Sequence, residues 1–292
     1  MSIRLATGVL AAAASALLAL AAPASLGSGP PRYVSIGDSL AAGSQPDARG
    51  VDGPSGEGYA DVLGRRLKRA YPGLRTHRLS CGGADTRTLL AGGAGCQQRG
   101  EPGQLVQAER FLAGHPETVL VTVNIGDNDV ERCIHVNPPA VDVACLHRGE
   151  ATIRRNLPVI ARRLKAAAGP RTAIVGVLDY NQFLALWLDG GEGRAVARRS
   201  VRIIGSLNAR MARIYRAAGV TVADAGVRFR TSDLTTRRAR PGFGRVPLAV
   251  DRICRWTWAC SDPPIGHDDH ARATGYHEIA QAVLDALARG TG

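Results

Sequence analysis

The sequence predicts an α/β fold, a central parallel sheet with helices packed on both faces. Two observations point there. Short β-branched apolar runs alternate along the chain with longer stretches of helical spacing, the pattern of strands joined by helical crossovers. Three of those regions lead into polar, glycine-rich clusters: Gly37-Asp38-Ser39-Leu40, Cys81-Gly82-Gly83-Ala84 and Gly126-Asp127-Asn128-Asp129. In a parallel sheet such clusters arrive together at the carboxyl edge, where ligands bind.

The elements follow in order. Val34-Ser35-Ile36 has the apolar, β-branched character of a buried strand, and Gly37 suits a tight turn after it. A serine just past that turn can stand out from the sheet edge as a nucleophile, although Asp and Ser are also preferred helix caps. A Gly-rich loop covers 43–58. Val62, Leu63, Leu67 and Ala70 predict a helix over 59–71, ended by Pro72-Gly73. Residues 74–79 read as a second strand and 105–112 as a short helix. Residues 118–125 (TVLVTVNI) form the strongest strand signal in the chain. A basic amphipathic helix over 150–168 carries Pro158, which predicts a kink. Residues 172–178 and 220–223 are further strands, flanking a long Arg-rich helix over 194–218, and 274–288 is the closing helix. Residues 226–266 show little periodicity and read as a long ordered loop region near the site.

The N-terminus predicts export. Arg4 is the only charge before Ala24, Val9 to Ala22 is an almost unbroken Ala/Leu run, and Ala22-Pro23-Ala24 is an A-x-A cleavage site. Residues 1–24 thus read as a signal peptide too short to span a membrane, and 25–31 as a flexible Gly/Pro/Ser leader. Residues 32–292 read as a single domain, expected to be monomeric. The net charge is +12, or +11 once Arg4 is removed. The arginines are scattered in pairs on helix faces without interleaved aromatics, which speaks against nucleic acid and leaves at most peripheral contact with membrane or cell wall. Six cysteines in an exported chain imply disulfides. Fifteen pairings exist. The simplest joins sequence neighbours: Cys81–Cys96, Cys133–Cys145 and Cys254–Cys260. No Cys/His spacing matches a metal site, so neither metal nor organic cofactor is expected.

These residues resemble the GDSL, or SGNH, hydrolase family, whose four sequence blocks can each be placed. Gly37-Asp38-Ser39-Leu40 matches the first, Gly83 the second and Gly126-Asp127-Asn128-Asp129 the third. His270, Gly275 and Tyr276 match the last, but the aspartate expected three residues before the histidine is His267. The blocks run in order over nearly the whole mature chain. The six-cysteine form is similar to secreted bacterial esterases and lipases of the family with three disulfides paired in sequence order. The resemblance implies a three-layer α/β/α, flavodoxin-like sandwich and ester hydrolysis through an acyl-enzyme. Ser39 would be the nucleophile and His270 the general base. The Ser39 N–H, the Gly83 N–H and the Asn128 amide would form the oxyanion hole. Asp129 is given no catalytic role. The substrate would be a small-molecule or lipid ester. The alternatives are a carbohydrate O-deacetylase, a phospholipase of the same fold, or a catalytically silent wall- or glycan-binding protein, whose only support is the missing aspartate.

A catalytic imidazole needs a partner on its second nitrogen. The expected partner is a backbone carbonyl, most simply that of residue 267, with Asp268 the second choice. Asp269 would have to bend back sharply. Asp262 would need the Pro263-Pro264 segment folded toward the site.

Overall fold

The computed structural model describes residues 29–98 and 100–289, so the expected signal peptide and the first part of the expected leader lie outside the described residues. Five strands form one parallel sheet: β1 (Arg32–Gly37), β2 (Arg75–Arg78), β3 (Thr118–Asn124), β4 (Ala173–Leu178) and β5 (Thr221–Asp224), in the order β2-β1-β3-β4-β5. That is the doubly wound, flavodoxin-like order, with its switch point between β1 and β3. Every residue of β3 is buried, as its unbroken apolar run requires of a central strand.

Helices α1 (Tyr59–Leu67) and α5 (Ala273–Arg289) pack on each other. Helices α2 (Gln104–Gly114), α3 (Val143–Ala167) and α4 (Gly190–Ala217) pack in sequence to form the other layer. The core between layers is built from the apolar side chains of β1, β3 and β4 and the inward faces of these helices. Among the described residues, no helix is long and apolar enough to cross a membrane.

The departures from expectation have local causes. Helix α3 begins seven residues earlier than the apolar periodicity suggested, because the Asp142 carboxylate accepts the Cys145 N–H and caps it there; it then runs on through Pro158. Residues 226–266 are not one long loop. They contain a short helix (Ala225–Phe229), an antiparallel hairpin (Arg237–Arg240 with Gly244–Pro247) and a helix (Leu248–Trp256). The hairpin strands are mostly exposed and Arg-rich, so they leave no alternating apolar signal. The loop over 43–58 likewise holds a small hairpin, Ser44–Pro46 with Asp52–Pro54. At the leader's end, Gly29, Pro30 and Pro31 are half-buried, and the Pro31 carbonyl accepts the Arg75 N–H. The three disulfides join Cys81–Cys96, Cys133–Cys145 and Cys254–Cys260, the sequence-neighbour pairing.

Candidate active site

Ser39 is the first residue of a four-residue helix (Ser39–Ala42) at the top of β1. The Asp38 carboxylate accepts the Leu40 N–H and caps this helix, so capping and presentation of the serine coexist at one turn. The turn demands glycine at 37. Its φ is +136°, and a Cβ there would lie 1.9 Å from the Asn124 carbonyl oxygen. Gln104, which no motif marks, holds both sides of this peptide: its Nε2 donates to the Gly37 carbonyl and its Oε1 accepts the Gly37 N–H, each at 2.8 Å.

The other two clusters are tied to the same edge. The Gly37 carbonyl also accepts the Cys81 N–H, and the Asp38 N–H donates to Asn124 at the end of β3. Gly83 sits in the turn closed by Ala84 N–H to Cys81 C=O, with φ +71°. A Cβ there would meet nothing within 4 Å, so glycine is required by the left-handed backbone and not by crowding. Asn128 lies in a one-turn 3₁₀ segment (Asp127–Asp129), and its Nδ2 donates to the Ala84 carbonyl at 3.0 Å. Asp129 is buried and accepts both the Thr86 N–H (2.9 Å) and the Thr86 hydroxyl (2.8 Å). It locks the third cluster to the second, the structural part expected of it.

His270 is buried, on the loop before α5. Its carbonyl accepts the Trp258 N–H, inside the loop that the Cys254–Cys260 bridge closes. The imidazole Nδ1 lies 3.1 Å from Asp268 Oδ1, and the same carboxylate accepts the His270 backbone N–H at 2.9 Å. This corrects the expected preference for the carbonyl of residue 267. His267 takes a left-handed conformation (φ +56°), and its ring points toward Asp189, 3.9 Å away. The backbone turn there brings the carboxylate two residues before His270 into reach. Asp269 Oδ1 lies 3.7 Å from Nδ1, also nearer than its sequence position suggested.

Ser39, Gly83, Asn128 and His270 line one cavity of about 410 Å³, with Asp52, Glu131 and Asp269 on its walls. No motif marked those three acids. Burial pulls the His270 imidazole toward neutrality, but the hydrogen bond to Asp268 and the charges of Asp269, Asp268 and Asp52 outweigh it and lift its pKa to about 9. Burial pushes Asp268 the other way, yet its bond to His270 prevails and holds it below the usual carboxylate range. Burial, then the charge of Asp269, raises Glu131 to about 7.

Two sets of side chains bring possible metal-ligating atoms within 4.8 Å of one another: Asp52, Asp268 and His270, and Asp127, Glu131 and Asp269. The first is the hydrogen-bonded surround of the histidine. In the second all three carboxyls are shifted upward, with burial as the largest cause.

The family model described as the GDSL-like Lipase/Acylhydrolase family matches residues 35–246. The chain belongs to that family. The match contains the Ser39, Gly83 and Asn128 clusters and ends before His270. Among solved structures, the fold is similar to an extracellular lipase of Streptomyces rimosus (20% identity, 87% of this chain and 99% of that one, TM-score 0.55). It is also similar to a lipase from a goat rumen metagenome (15%, 87% and 96%, 0.54). A third similar structure is a phospholipase A1 of Streptomyces albidoflavus NA297 (16%, 88% and 100%, 0.52). No curated protein matches the sequence.

Proposed function

We propose that this GDSL-family hydrolase is a secreted serine esterase or lipase acting on uncharged carboxylic esters. The observation that carries the reading is the convergence of Ser39, Gly83, Asn128 and His270 on one cavity, with a carboxylate on the histidine's far nitrogen. In this mechanism neutral His270 takes the Ser39 proton as the hydroxyl attacks the ester carbonyl. The Ser39 and Gly83 N–H groups and the Asn128 amide stabilise the oxyanion. Imidazolium, held by Asp268, returns the proton to the leaving alkoxide, and water repeats the sequence to release the acid.

The cavity supports an uncharged substrate. Among the described residues its walls carry Asp52, Glu131 and Asp269 and, apart from His270 itself, no basic side chain, which disfavours an anionic group beside the scissile bond. The Asp268 carboxylate beside the His270 ring supports the enzyme over a silent binding protein, whose one support is the missing aspartate. The apolar N-terminal run with its A-x-A site and the three disulfides support export.

Hydrolysis of a chain-length series of nitrophenyl esters by the purified protein, beside Ser39→Ala, tests the reading. Turnover lost in the variant is expected. Activity confined to acetate favours a deacetylase, while activity extending to long chains favours a lipase. Equal rates in both proteins would refute Ser39 as nucleophile. Secreted protein should begin near Ser25; retention of Met1 would count against cleavage.

A further inference from the structure

Asp52 belongs to none of the family's sequence blocks, yet its Oδ1 lies 3.3 Å from His270 Nδ1, beside the 3.1 Å contact of Asp268. It arrives from another part of the chain, on the hairpin Ser44–Pro46 with Asp52–Pro54. That hairpin is anchored along its length. At its base the Ser55 N–H and hydroxyl both donate to the Gly43 carbonyl. Along its side the Trp258 indole N–H donates to Gln45 Oε1. Near its tip Gly50 sits so close to the Pro264 carbonyl that a Cβ would approach to 2.5 Å. Two of these anchors are on the segment that carries His270, so the hairpin and the histidine loop hold one geometry.

We propose that Asp52 is a second carboxylate positioning residue for His270, sharing the Nδ1 proton with Asp268 and setting the pH at which the base becomes available. The inference rests on His270 being the general base.

Two carboxyls this close to each other and to one imidazole cannot both ionise at ordinary pKa values. Burial, and then the hydrogen bond to Asp268, raises Asp52 to about 6, while Asp268 is held low. Below about pH 6, Asp52 carries the proton and donates it to Asp268, leaving one negative charge on the pair. Above that, two carboxylates face one N–H, and imidazolium is favoured further. The other acids acting on the ring are Asp269, on its own loop, and Glu131, from the turn after Asn128. Of the acids within 4 Å of Nδ1, Asp52 is the one that comes from outside the histidine's own loop and is half-exposed.

The test is the pH profile of kcat/KM, with an NMR titration of the His270 ring, in the full-length mature protein and in Asp52→Asn and Asp52→Ala. Removing one carboxylate charge at this distance and exposure should lower both midpoints by about one unit, raising the neutral-imidazole fraction at pH 7 roughly tenfold. Asp52→Ala and Asp52→Asn should move the midpoints alike, because above about pH 6 Asp52 acts on the ring through its charge and not as a donor to Asp268. A ring midpoint that stays put in both variants while Asp268→Asn moves it would overturn the proposal. The ring titration does not depend on turnover. If His270→Ala kept normal activity, the hydrolase mechanism would fall, and the titration would still report on Asp52.

Discussion

In the proposed mechanism the chemistry turns on one imidazole nitrogen. His270 Nδ1 faces Asp268 at 3.1 Å, so Asp268→Asn should lower kcat at least about 10²-fold, toward the ~10⁴-fold loss that accompanies a neutralised triad aspartate. Near-normal turnover would return the role to the carbonyl of residue 267. Asn128→Ala should lower kcat about 10²–10³-fold with little change in KM, as for a lost oxyanion donor. With His270 raised to about 9 and catalysis needing its neutral form, kcat/KM should climb as pH rises through about 9. The same raised pKa stabilises the fold fully below the unfolded value of 6.5, and this contribution is lost as pH rises through about 9. Activity should therefore grow where that contribution to stability declines, which paired rate and melting profiles can check. Ser39, Gly83, Asn128 and His270 were legible because each stands in a short motif. Asp268 was ranked second because the motif position holds His267, and nothing in the letters announces a left-handed residue there. Asp52 had no motif and reaches the ring only through tertiary contact.

Among the elements, the strand ends and their turns do the positioning. Asp129 joins the turn after β3 to the helix Thr86–Ala91 through two buried hydrogen bonds. Asp129→Ala leaves the Thr86 donors short of an acceptor and should cost on the order of 2 kcal/mol in denaturant unfolding. An unchanged midpoint would show that the tie is dispensable. The Cys254–Cys260 bridge closes a short loop whose Trp258 N–H holds the His270 carbonyl. Replacing both cysteines with serine should reduce kcat more than it reduces Tm, whereas a large Tm loss with normal kcat would make the bridge purely structural. The bridges Cys81–Cys96 and Cys133–Cys145 span 15 and 12 positions, each contributing roughly 3 kcal/mol by chain entropy. The sheet strands were readable because buried parallel strands are continuously apolar. The hairpins at 44–54 and 237–247 were not, because their residues are polar, glycine-rich or exposed, and their shape comes from what they pack against.

At the scale of the molecule, a strongly basic chain carries an acidic cavity. The positive charge is spread over helix faces, while Asp52, Glu131 and Asp269 converge beside Ser39. This contrast was hidden from composition, which averages over both. It leads to an expected selectivity: neutral esters should be cleaved in preference to matched esters bearing a carboxylate near the scissile bond. Equal kcat/KM for the two would remove the acidic walls from the description of specificity. The fold class was legible from the alternation of strands and helices, and the sheet order 2-1-3-4-5 gathers the three glycine-rich clusters at one edge. The most direct test of that gathering is to trap the acyl-enzyme. The mature protein, quenched during turnover of a nitrophenyl ester and digested, should carry the acyl group on the Ser39 peptide in near-stoichiometric amount, with none in Ser39→Ala. Acylation at another residue, or full turnover by Ser39→Ala, would contradict the site described above.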